Sequence, residues 1–216
     1  MTDSVPWLDR VAHDLRGPLM PLQTASYLLR SGQLEPERQQ ELCVLIERQT
    51  RRLARMIDEL GDWSRANQHT LLGALEPCEP VLLLDNAIGG AMFANLFRPD
   101  IVDDTGEILV HGDPARLTQL LRTLVEYVAA GTDAPQVRMR IVGERLQIDV
   151  LDPGAAPDPA QLATLLEEPM PEPFDEGLGL RLLIARAIAE AHAGTLVAQT
   201  DAGGGLHLRC ELPLAV

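Results

Sequence analysis

The chain has 216 residues, 46% of them hydrophobic, with a mean hydropathy near zero, the composition of a globular protein of one large or two small domains. A net charge of −14 argues against nucleic acid or an anionic membrane as the main partner. Aromatic residues are only 3%, so the core has to be built from Leu, Ala, Val and Ile. Cys43, Cys78 and Cys210 are an odd, scattered set in apolar settings with neither a disulfide framework nor metal-ligand spacing, and they read as reduced, buried thiols in a cytoplasm. No signal peptide and no long uncharged apolar run is visible.

Residues 1–6 form a short lead, with Ser4 a candidate helix cap. Residues 7–30 read as a helix, because Leu8, Val11, Leu15, Leu19, Leu22 and Leu29 recur at 3–4 spacing, broken only at Ser26. His13 lies beside that stripe and should reach solvent. Asp14 follows it, and a carboxylate next to an imidazole can orient the ring and take the proton of one nitrogen, leaving the other free to attack. An exposed histidine of no importance is the alternative for an isolated pair. Pro18 should bend the helix about one turn further on. Ser31-Gly32-Gln33 ends it, and Glu35-Pro36-Glu37 opens a second helix over 36–66. There Leu42, Ile46, Gln49, Leu53, Met56, Leu60 and Trp63 alternate by four and three, a heptad stripe that wants partner helices. Two such hairpins pair as a four-helix bundle, so a homodimer is expected, with a hairpin packed on its own C-terminal domain as the alternative. With the histidine helix at the very start, no sensor segment is expected ahead of it.

Residues 68–79 are polar and mixed, and read as a linker. A helix over 80–97 is weakened by Gly89-Gly90; an extended piece at 100–105 and a short strand at 108–111 follow. Asp113 caps an amphipathic helix over 114–130. Residues 137–142 and 146–151 alternate around Gly143-Glu144, a hairpin signal. A short helix at 160–168, a helix at 180–193 ended by Gly194, and a last hairpin of 195–200 and 206–212 around Gly203-Gly204-Gly205 complete the chain. The expected fold is α+β: a helical hairpin in 1–67, then an α/β sandwich in 80–216 whose antiparallel sheet is covered on one face by helices.

The stretch Val11-Ala12-His13-Asp14-Leu15-Arg16-Gly17-Pro18-Leu19 resembles the phosphoacceptor box of the sensor histidine kinases, written H-E/D-L-R-x-P-L. The order of elements in 80–216 is similar to the ATP-binding domain of the same kinases, so the resemblance covers nearly the whole chain. Gly112-Asp113-Pro114-Ala115-Arg116-Leu117 matches the lead-in to the family's nucleotide helix. The family then writes N-L-L-x-N-A, and its last asparagine holds magnesium. Here the segment is Thr123-Leu124-Val125-Glu126-Tyr127-Val128, and the neutral phenol of Tyr127 is a poor magnesium ligand. Glu126 stands at the variable x. The family's D-x-G-x-G adenine loop becomes Asp152-Pro153-Gly154-Ala155-Ala156, keeping Asp152 for the adenine amino group and Gly154 for close approach but losing the second glycine. A plain turn after a strand is the alternative there. The nucleotide lid is all but absent: Pro171-Glu172-Pro173-Phe174 is followed only by Asp175 and Glu176 before Gly177-Leu178-Gly179-Leu180. Gly177 and Gly179 could still seat phosphate at the following helix N-terminus, but the two carboxylates are expected where the phosphates would lie.

By this resemblance, His13 and Asp14 are the catalytic pair, and Asp152, Gly154, Gly177 and Gly179 are a vestigial ATP site with no metal ligand. The first expectation is a cytoplasmic phosphotransfer protein of two-component signalling, a homodimer that exchanges phosphate with the aspartate of a response-regulator receiver domain and needs no cofactor of its own. An active histidine kinase using ATP and magnesium is the first alternative. A non-catalytic regulator that binds a sensor kinase or a receiver is the second. Leu19, Leu22 and the basic face at Arg51, Arg52 and Arg55 are candidates for receiver docking. Gly17 stands where the family often has Thr or Asn to position water, which implies weak phosphatase activity. Neither a nucleic acid nor a membrane is an expected partner.

Overall fold

The computed structural model describes residues 6–32, 34–91, 99–131, 135–152, 154 and 158–215, and for 6–8 the backbone only. Ser4 lies outside the described residues. Helices α1 (Pro6–Arg30) and α2 (Pro36–Asn67) pack along each other as a hairpin. On α2, Leu42, Gln49 and Met56 are buried at seven-residue intervals, the inner edge of the heptad stripe. Pro18 and Pro21 both lie inside α1, which continues through them. Their missing N–H groups leave the carbonyls of Asp14 and Gly17 without helical donors.

The expected linker holds a strand: β1 (Glu76–Cys78) pairs antiparallel with β3 (Val110–Gly112), and Leu71 ahead of it is buried. Helix α3 (Pro80–Gly89) ends at the two glycines rather than running to 97; residues 92–98 lie outside the described ones. The main sheet has five strands in the order β2–β4–β5–β7–β6: β2 (Asp100–Asp104), β4 (Gln136–Val142), β5 (Arg145–Asp152), β6 (Thr195–Thr200) and β7 (Leu206–Pro213). It is mixed, not wholly antiparallel, because β2 joins β4 in parallel. Its inner face, with Val137, Met139, Leu146, Ile148, Val150, Leu208, Cys210 and Leu212, is buried in the core cluster shared with helices α4 (Pro114–Ala129) and α6 (Arg181–Ala191). Asp113 caps α4, its carboxylate accepting from the N–H groups of Ala115 and Arg116 at 3.0 and 3.1 Å. Helix α5 (Pro159–Thr164) is shorter than the expected 160–168.

The other face of the sheet is polar. Asp149 accepts from His207 Nε2 at 2.6 Å, Gln147 Nε2 at 2.7 Å and Arg209 Nε at 2.9 Å. Burial alone would raise its carboxyl, but those three bonds outweigh burial and hold it below the usual carboxylate range.

The hairpin is not a separate body. Val11 and Met56 belong to the same apolar cluster as Leu178, Leu180 and the sheet. Packing of the hairpin on its own C-terminal domain, the alternative left open by the sequence, is thus present, while Leu19, Met20, Tyr27, Val44 and Ile57 stay exposed on the hairpin.

Candidate functional site

Val11 turns inward and His13, two residues on, turns outward; the side chain of His13 is 85% exposed. Its Nδ1 lies 3.2 Å from Asp14 Oδ1, so Nδ1–H can donate to the carboxylate and leave Nε2 in solvent with its lone pair free. Arg10, one turn earlier, holds α1 to the domain by donating to the carbonyls of Met170 and Pro171 at 3.0 and 2.8 Å. A Cβ on Gly17 would meet open space, so nothing in the packing requires glycine there.

The residues at nucleotide positions are placed as follows. Tyr127 on α4 packs edge-on against Phe174, with ring centroids 5.7 Å apart, and burial together with the Asp152 charge pushes its phenol up. Asp152 is buried at the end of β5, and its Oδ1 accepts from the Gly154 N–H at 2.8 Å. Pro153, Ala155 and Ala156 lie outside the described residues. Gly179 has φ +76° and packs against the Met170 backbone, which donates its N–H to the Gly179 carbonyl at 3.0 Å. A Cβ at Gly177 would collide with Oε1 of Glu59. Both glycines therefore have packing roles.

Asp175 does point inward, with its side chain 1% exposed; Glu176 does not, since it is exposed and is engaged through its backbone, the carbonyl by Arg52 and the N–H by the Pro173 carbonyl. Arg52 and Arg55 do not offer a free basic face: they donate to the carbonyls of Glu176 and Asp175 at 2.9 and 3.3 Å, and Arg51 pairs with Glu47.

Two residues with no signal of their own in the sequence organise the site. Arg181, in the first turn of α6, pairs with Glu126 and, at 3.1 Å, with Asp175, and lies 5.1 Å from the Phe174 ring centroid. Burial would lower the guanidinium, but the two carboxylates outweigh it and push it up. Glu59 of α2 accepts from the N–H groups of Leu178 and Leu180, both at 3.1 Å. A cavity of about 530 Å³ between α2, α4 and α6 is lined by both, with Arg55, Asp62, Arg122, Thr123 and Asp175; Tyr127 and Asp152 are not on its wall. Asp62 on that wall would be raised by burial, but bonds from Gln119, Arg65 and Arg116 outweigh this and hold it low.

A helical hairpin with one exposed histidine beside a carboxylate, packed on a five-stranded sandwich of this topology, is the architecture of a histidine kinase core. The family model of the His Kinase A phospho-acceptor domain matches residues 7–69, and that of the histidine kinase-, DNA gyrase B- and HSP90-like ATPases matches 112–216. The sensor protein KdpD of Mycobacterium tuberculosis is 30% identical over 95% of the chain, and the sensor protein ChvG of Agrobacterium fabrum 26% over 88%. The chain spans 25% and 35% of the length of these two relatives. The fold is similar to that of histidine kinase ThkA in complex with the response regulator protein TrrA: TM-score 0.72, 18% identity, covering 96% of this chain and 61% of that one. The chain belongs to the two-component histidine kinase family. No helix among the described residues is long and apolar enough to cross a membrane.

Proposed function

We propose that the chain is a phosphotransfer protein that carries phosphate on His13 and exchanges it with the aspartate of a receiver domain. Nε2 attacks the phosphorus of the aspartyl phosphate. The P–O bond breaks, a P–N bond forms, and the carboxylate leaves with the electron pair, while Asp14 keeps hold of Nδ1–H. The step runs in reverse onto a second receiver, and the receiver brings its own divalent cation. The response-regulator complex of ThkA supports a receiver as partner. The exposed Leu19, Met20, Tyr27, Val44 and Ile57 support a homodimer through the hairpin. Gly17 offers no group to hold a water, so phosphatase action on a receiver is weak.

The observation that carries the proposal is Arg181, whose guanidinium sits between Glu126 and Asp175 with Thr123 Oγ1 at 3.4 Å. An internal cation is already paired with Glu126 and touches Thr123, which stands at the family's first asparagine, and Tyr127 is packed on Phe174 rather than offered to a metal. ATP with magnesium does not fit these residues, and no step passes through it.

Retention of Asp152, Gly154, Gly177 and Gly179, and relatives named as sensor proteins, favour a second reading, an ATP-dependent kinase. Labelled phosphate separates the two. A phosphorylated receiver should label the wild type and leave His13→Ala unlabelled, while labelled ATP with magnesium should label neither. Label from ATP on wild-type His13 refutes the phosphotransfer-only reading.

A further inference from the structure

Helix α2 meets the C-terminal domain with a charged stripe. Arg52, Arg55 and Glu59 lie three and four residues apart on one face, and all three end on the segment 175–180. The two arginines take carbonyls and the glutamate takes amides, so each side chain meets the backbone group of opposite polarity. Glu59 itself is only 6% exposed. Its second oxygen, Oε1, is buried with no hydrogen-bond partner among the described residues. Gly177 has no side chain at the place that Oε1 occupies. The amides of Leu180, the N-cap of α6, and of Leu178 just ahead of it point at this carboxyl group as they would at an external anion.

We infer that Glu59 is a latch: its carboxyl group accepts from the amides just ahead of α6 and holds the phosphoacceptor hairpin on the ATPase-like domain. The latch does not depend on where the phosphate on His13 comes from, so it stands for a kinase as for a phosphotransfer protein. Released, it frees the α2 face at Arg52 and Arg55 that is otherwise bound to the chain's own loop.

The charges facing Glu59 set how firmly the latch holds. On α2 these are Arg55, Asp58 and Asp62; on the segment, Asp175; on α6, Arg181; on α4, Arg122 and Glu126; and on α1, beyond Leu178, Arg10 and Asp14. Arg181 is committed to Glu126 and Asp175, while Asp62 has drawn Arg65 and Arg116 to itself. The carboxylate thus rests on two amides with no salt-bridge partner among the described residues. Burial first, then the Asp175 charge, push its carboxyl up to about 7. Since this lies above the ordinary 4.5 of the released side chain, docking is firmest below 4.5 and weakens as pH rises through 7. A protonated Glu59 keeps both amide bonds through its carbonyl oxygen.

Hydrogen exchange of the full chain, corrected for intrinsic rates, tests the latch. In the wild type, protection of the Leu178 and Leu180 amides and of residues 52–60 should fall together, about tenfold between pH 6 and pH 8. Glu59→Gln should remain protected at both values. Glu59→Ala should lose at least tenfold at pH 6 in both places, while β5 and β7 keep their protection. Unchanged protection in Glu59→Ala, or loss confined to Leu178 and Leu180, overturns the latch. Should β5 and β7 also open in Glu59→Ala, Glu59→Gln decides alone: a wild-type fall in protection between the two pH values overturns it.

Discussion

Replacing Arg181 by Met should unfold the centre of the molecule from the electrostatic side. The guanidinium is 18% exposed and its partners Glu126 and Asp175 are 4% and 1% exposed, so solvent screens the pairs very little. Methionine fills a similar length but leaves two buried carboxylates without their cation, next to a third at Glu59. Removing one partner of a buried pair costs about 3–5 kcal/mol, and the lost contact with the Phe174 ring adds up to about 1 kcal/mol. For a chain of this size each kcal/mol moves the melting midpoint by about 2–4 °C, which places the expected drop at about 6–24 °C at pH 8. Buried negative charge that has lost its cation is penalised most where carboxylates are ionised and least in acid. The deficit should therefore shrink at pH 5. Thermal unfolding followed by circular dichroism at the two pH values measures this. Adding Glu126→Gln and Asp175→Asn should recover most of the loss at pH 8. A single Arg181→Met variant melting within 2 °C of the wild type at pH 8, a threshold set by the ~2 °C minimum shift per kcal/mol, refutes the claim that this ion pair cluster is buried and mutually dependent.

Thiol reactivity follows from burial: Cys43 is exposed on the outer side of α2, against the expectation of three buried thiols, whereas Cys78 and Cys210 are buried and their thiols are raised by desolvation, Cys210 to about 12. An aromatic disulfide reagent at pH 8 should titrate Cys43 rapidly in the native protein and the other two only after denaturant is added. Gly179→Ala should cost about 2–4 kcal/mol in urea unfolding, because φ is +76° and the new Cβ would strike the Met170 backbone. Gly204→Ala, with φ +90° but open space around it, should cost only the backbone part, about 1–2 kcal/mol.

Elements with one dominant local signal could be read directly from the residues. Leu117, Leu120, Leu121, Leu124 and Val128 mark a helix whatever surrounds it, and Asp113 marks where it starts. The strand Glu76–Cys78 could not be read, because three residues with a proline in the middle show no alternation and are made a strand only by Val110–Gly112 across from them. Nor could the parallel addition of Asp100–Asp104, an exposed acidic edge strand. The histidine pair was legible because both members are adjacent. Arg181 and Glu126 are 55 residues apart and Glu59 and Leu180 are 121 apart, so neither contact leaves a spacing to read. In sequence, Glu59 looks like one more solvated acid on a long helix.

The shared apolar interior has a practical consequence for chimeras. Val11 and Met56 on one side, and Leu178 and Leu180 on the other, were shaped against each other. A histidine hairpin grafted onto a relative's ATPase, or a cut made near Leu71, would leave a bare hydrophobic scar on each fragment. Exchangeable cassettes in this chain would have to carry both halves of that seam.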